Sequence, residues 1–183
     1  LEKLRTKKYD GVVLDINMPR MDGLELLQQL QKEKIKANIV MASTLTVEGA
    51  NEAIKSLELG AIDFVTKPSN IIEAKGDAFK KALLDVLYAA TKARVHFKKP
   101  SMVVAADKTA AASVNRLKKP GQNKIIAIAS STGGPKALQS VIPKIPADID
   151  APVVLVQHMP AGFTRSMAAR LNELSKVQVK EAE

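Results

Sequence analysis

Residues 124–159 read KIIAIASSTGGPKALQSVIPKIPADIDAPVVLVQHM, and they decide how the chain is put together. The apolar run Ile125 to Ala129 stops at Ser130-Ser131-Thr132, two glycines follow, and a helical pattern begins. That succession predicts a strand, a tight turn and a helix whose first N–H groups have no partner within the helix. A hydroxyl in such a turn lies where those donors and the helix dipole favour negative charge. A second apolar run, Ala151 to Gln157, delivers His158 at its end. Successive strands of a parallel sheet end on one edge, so Ser131 and His158 are expected to meet there as nucleophile and base. Ser130 is adjacent, and side chains of neighbours at a strand end point apart, so one of the two serines suits the histidine and the other does not.

Glycine-rich turns between strand and helix also cradle phosphates. Neither GxGxxG nor GxxxxGK[ST] occurs here, however, and Ala129 stands where the G-x-S-x-G elbow of α/β-hydrolases has its first glycine. A serine that only caps a helix gives the same local pattern. The pairing with His158 is what argues for chemistry, and the backbone N–H groups of Thr132, Gly133 and Gly134 are then the oxyanion candidates. Zinc at His158 is not expected, because cysteine is absent and the other histidine is the distant His96.

Working outward, 183 residues allow one large or two small domains, and 46% hydrophobic with 3% aromatic residues means aliphatic cores. Without cysteine there is no disulfide framework and no thiolate nucleophile, which suits a reducing, cytoplasmic setting. No apolar run approaches the roughly 18–20 residues of a membrane span, no signal-peptide pattern opens the chain, and Leu1 suggests a start partway through a protein. The net charge of +9 is localised: between Ala93 and Lys124 eight cations face Asp107 alone. Only Phe97 supplies an aromatic ring there, and no helix-turn-helix pattern follows, so a solvated linker is expected rather than nucleic-acid binding.

Upstream, apolar runs at Val12 to Leu14, Asn38 to Ala42 and Ile62 to Val65 alternate with helical patterns through about Lys32, over Val47 to Leu59 and from about Ile72 to Lys92. The last carries Phe79, Leu83, Val86 and Leu87 on one face. Strands alternating with helices of this length predict βαβ units and a parallel sheet. The three strands end in Asp15, Ser43 and Lys67, which therefore gather at the carboxyl edge. A carboxylate, a hydroxyl and an ammonium at that edge suit a phosphoryl group: Asp15 to accept it, Ser43 and Lys67 to bond its oxygens.

YDGVVLDINMPRMDGLELL, VMASTLT and GAIDFVTKP together resemble the later part of a response-regulator receiver domain over about the first 90 residues. The resemblance implies a partial flavodoxin-like receiver with Asp15 phosphorylated, Ser43 as the switch hydroxyl and Lys67 contacting the phosphate. It also implies Mg2+ bound by Asp15 and the backbone carbonyl of Asn17. The acidic pair that completes the family's metal site belongs to a first strand earlier than this sequence reaches.

From Lys124 onward the chain is similar to the start of the chemotaxis protein-glutamate methylesterase family (CheB), which joins a receiver, a linker and a serine esterase in this order. The resemblance implies the following organisation: receiver over 1–92, linker over 93–123, and over 124–183 the start of a doubly wound parallel α/β esterase domain. STGG selects Ser131 as nucleophile, QHMP selects His158 as base, and Met159, Pro160, Phe163, Thr164 and Arg165 belong to a stretch beside the family's active site. Ala129 and Ser130 replace a Gly-Ala that often precedes the serine. The family's third catalytic group is an aspartate in a GNDG-like turn, and no aspartate follows Asp150. The chain alone is thus expected to be nearly inactive, and the terminal VQVKEAE resembles the first part of a further strand. Implied partners are methylated chemoreceptors as substrate and the chemotaxis histidine kinase as phosphodonor, with no nucleic acid and no membrane insertion. The rival function is a receiver-containing signalling protein whose output module binds without catalysis.

Overall fold

Each apolar run closed by a polar residue becomes a strand delivering that residue to a sheet edge. The computed structural model describes residues 1–93 and 124–182; the linker expected over 93–123, with His96, lies outside the described residues but for Ala93. After a short helix α1 (Glu2–Thr6), the upstream part runs β1 (Val12–Asp15), α2 (Gly23–Lys32), β2 (Ile39–Ser43), α3 (Val47–Glu58) and β3 (Asp63–Thr66). It closes with α4 (Ile71–Lys75) and α5 (Asp77–Lys92). The strands form a parallel sheet in the order β1-β2-β3, with Asp15 beside Ala42 and Ser43 beside Thr66.

The helix starts follow from capping chemistry. The Asp22 carboxylate accepts the Glu25 N–H while the Glu25 carboxylate accepts the Asp22 N–H, and the Thr46 hydroxyl accepts the Gly49 N–H. Gly23 is the first residue of α2, and only glycine fits there, because a Cβ would lie 2.4 Å from the Asp15 carbonyl oxygen.

The single helix expected over 72–92 is two, broken at Gly76, whose backbone is extended at φ −72° and ψ 146°. Asn70 caps α4 separately by accepting the Glu73 N–H, and glycine has little helical preference to carry the helix through. Beyond the break the expected face holds: Phe79, Leu83, Val86 and Leu87 pack against buried Val40, Ile62 and Val65.

Downstream come β4 (Ile126–Ser130), α6 (Gly134–Val141), one 3-10 turn (Ile142–Lys144), β5 (Val153–Gln157) and α7 (Phe163–Leu174). β4 and β5 pair in parallel with Ser130 opposite Gln157. The described residues of VQVKEAE, 177–182, form no strand. They fold back along α7 instead: the Val179 N–H donates to Asn172 Oδ1 and the Thr164 hydroxyl to the Glu181 carboxylate.

One core joins the two parts. Leu26, Ile54 and Leu57 upstream share a buried cluster with Leu138, Phe163, Met167 and Leu171 downstream. The Phe64 and Phe163 rings stack with centroids 5.0 Å apart. At the rim of this joint, Arg170 of α7 makes a bidentate pair with Glu58 of α3, at 2.5 and 2.9 Å. Among the described residues no helix is long and apolar enough to cross a membrane.

Candidate functional site

At the upstream edge, Lys67 Nζ lies 2.6 Å from Asp15 Oδ1, with both side chains about one-third exposed. The Asn17 backbone N–H donates to the same oxygen at 3.2 Å. Ser43 is not brought to this pair. It is buried, and its hydroxyl donates to the Gly49 carbonyl at 2.7 Å, where the first turn of α3 crosses the strand end. Asp15 and the Asn17 carbonyl do not make a magnesium site by themselves: the hard cation takes about six oxygens, and among the described residues no cluster of three or more acidic or histidine side chains exists.

At the downstream edge, Ser131 Oγ lies 3.4 Å from His158 Nδ1. The spacing follows from the register: Ser130 and Gln157 are partners, so the next residue of each strand leaves the sheet on the same side, and the His158 N–H still bonds the Ser130 carbonyl at 3.0 Å. Among the described residues the imidazole makes no other hydrogen bond. With the proton on Nε2, Nδ1 can accept from the serine hydroxyl. Ser130 is engaged elsewhere, donating to Gln157 Oε1 at 2.5 Å.

Of the oxyanion candidates, the Gly134 N–H donates to the Ser131 carbonyl at 2.7 Å and the Gly133 N–H to Asp63 Oδ2 at 2.6 Å. Gly133 needs its freedom: it opens α6 at φ +74°, in the left-handed region. Asp63 belongs to the upstream sheet, so a carboxylate from one part occupies a donor in the serine turn of the other. Burial pushes the Asp63 carboxyl up from its ordinary value, opposed by the N–H groups of Gly133 and Phe64.

A cleft of about 680 Å³ connects the two edges, lined by Lys67, Asp63, Phe64, Ser131, His158 and Met159 among others. Asp63 and Gln157 are the residues that the sequence did not single out. An acid opening the apolar run DFV was a signal for the first; the second stood beside His158, but its role needs the strand register.

Residues 126–183 match the family model described as CheB methylesterase, and residues 1–75 match that of the response regulator receiver domain. In chain order, a receiver match is followed by a CheB methylesterase match. The protein-glutamate methylesterase/protein-glutamine glutaminase 1 of Syntrophomonas wolfei is 43% identical over 187 residues, covering 100% of this chain and 51% of that protein. The protein-glutamate methylesterase/protein-glutamine glutaminase of Archaeoglobus fulgidus is also 43% identical, over 185 residues, with the same two shares. The chain thus spans about half the length of the curated relatives it matches. The crystal structure of the Thermotoga maritima CheB methylesterase catalytic domain shares 54% identity, covering 34% of this chain and 33% of that one, at a TM-score of 0.33.

Within the CheB match, the residues after His158 divide by burial. Met159 and Pro160 line the cleft, whereas Phe163 turns inward onto Phe64 and is 1% exposed. The hydroxyl of Thr164 is held by Glu181.

Proposed function

We propose that the protein carrying this chain is a phosphorylation-regulated, cytoplasmic protein-glutamate methylesterase and protein-glutamine deamidase acting on chemoreceptors. Residues 1–92 would be its receiver, 93–123 its linker and 124–183 the start of its catalytic domain. The observation that carries the proposal is Ser131 Oγ at 3.4 Å from His158 Nδ1, at the ends of adjacent parallel strands. The Ser131 proton passes to the imidazole as Oγ adds to the γ-carbonyl carbon of the substrate. The tetrahedral intermediate collapses, and methanol leaves with that proton, or ammonia from an amide. Water then adds to the acyl-serine as His158 takes its proton, and the proton returns to Ser131 as the glutamate carboxyl is released.

The contact between Asp63 and the Gly133 N–H supports regulation through the receiver, because it ties up a donor suited to the tetrahedral oxygen. Phosphorylation of Asp15 by the chemotaxis histidine kinase must exchange its pairing with Lys67 for pairing of Lys67 with the phosphoryl oxygens.

The test is release of labelled methanol from methylated receptor by the full-length protein, with and without a small phosphodonor. Ser131→Ala should reduce turnover by about 10³-fold or more, and Asp15→Asn should leave basal turnover while removing the response to phosphodonor. Turnover that survives Ser131→Ala rejects the nucleophile. A wild-type protein that releases no methanol in either condition favours the non-catalytic signalling rival.

A further inference from the structure

Gln157 is the most heavily engaged side chain near the two proposed catalytic residues, and nothing in the mechanism above uses it. Its Oε1 accepts the Ser130 hydroxyl at 2.5 Å. Its Nε2 donates to the Ser131 carbonyl at 3.0 Å and to the His158 carbonyl at 2.9 Å. One carboxamide therefore touches both residues of the proposed nucleophile–base pair through their backbones, and the adjacent Ser130 through its side chain. The orientation of the amide is fixed by this set, since turning it over would set its oxygen against two carbonyl oxygens. Space for it is reserved by Gly134, where a Cβ would come within 2.2 Å of Gln157 Oε1.

We infer that Gln157 is the positioning residue of this site: it clamps the ends of β4 and β5 so that Ser131, and not Ser130, faces His158. Two observations give the clamp its consequence. The Ser131–His158 separation of 3.4 Å is long for a hydrogen bond, so it has little strength of its own with which to hold the pair. The Ser130 hydroxyl, donated to Gln157, is turned away from the imidazole, which removes the competing nucleophile by geometry. A displacement of about 1 Å at a reacting pair costs up to about 100-fold in rate, whereas substrate binding in the cleft does not depend on that alignment.

The inference rests on the proposed esterase activity, and the experiment separates the two. In the full-length protein, Gln157→Leu removes all three bonds, Gln157→Glu keeps the size but turns a carboxylate toward two carbonyls, and Ser130→Ala removes one bond only. Both Gln157 variants should lower kcat by about 10- to 100-fold with KM within about twofold, while Ser130→Ala should cost less than about threefold. The rate at which a fluorophosphonate labels Ser131 should fall in parallel with kcat, and thermal unfolding of Gln157→Glu should confirm that the variant is folded. Should a folded Gln157 variant keep kcat within about twofold, or change KM alone, the clamp is wrong although the esterase stands. A wild-type protein without methanol release, or one stopped by Ser130→Ala but not by Ser131→Ala, overturns the assignment beneath it as well.

Discussion

In the upstream sheet, side chains of β2 alternate between two cores, Met41 facing one and Val40 the other, and both are fully buried. In the downstream sheet, Ile128 and Leu155 pack inward while Val154 and Val156 stay exposed on the other face. The edge groups differ in the same sense. Asp15 and Lys67 are in contact at 2.6 Å, whereas Ser131 and His158 stand at 3.4 Å, the ring having no second hydrogen bond among the described residues. Opposite charges find each other once strand ends are in register, because Coulomb attraction needs no particular direction. A proton-transfer pair needs both distance and direction, so it depends on the groups behind it, Gln157 at the backbone and a partner for the far imidazole nitrogen.

The largest effect is expected where the two regions meet. Phe163→Ala removes the ring stacked on Phe64 and should cost about 3–5 kcal/mol, read as a lower urea midpoint. An unchanged midpoint would mean that the shared core does not couple the two sheets. Next in size is the carboxylate that crosses between them. Asp63→Ala should raise basal methanol release by the full-length protein about 5- to 10-fold and shrink the further gain from phosphodonor. Turnover equal to wild type would show that the Gly133 contact restrains nothing.

The smallest effect lies within the upstream region alone. Glu33 is held at about 2, below its ordinary 4.5, by hydrogen bonds from Arg5 and Gln29. A depressed carboxylate contributes stability above its unfolded value and loses it as pH falls through the folded one. Arg5→Ala should therefore lower Tm slightly at neutral pH, with the difference disappearing toward about pH 2. A difference that persists in acid would assign the effect to packing of α1 instead.

Strands closed by Asp15, Ser43, Lys67 and His158 were legible because an apolar run and the polar residue ending it are local features. The helix break at Gly76 was less so, since Phe79, Leu83 and Val86 fix a face without fixing where it begins. Ser43 ends its strand as expected, yet its hydroxyl direction is set by Gly49, a neighbour that only the folded start of α3 supplies. Asp63 and Gly133 are 70 residues apart, and no spacing rule reaches across that interval. VQVKEAE has the alternation of a strand, but alternation requires a neighbouring edge before it becomes one.

The Gly133-Gly134 doublet looks like a single requirement and is two. At Gly133 nothing among the described residues lies within 4 Å of an added Cβ, and the constraint is the backbone at φ +74°, a conformation asparagine also tolerates. At Gly134 the neighbours forbid any side chain at all: the Gln157 oxygen at 2.2 Å and Ser130 Cβ at 2.8 Å. Under drift, the first position has an exit and the second has none unless positions 130 and 157 both change with it. The evolutionary freedom of the serine turn is therefore written partly in the other strand.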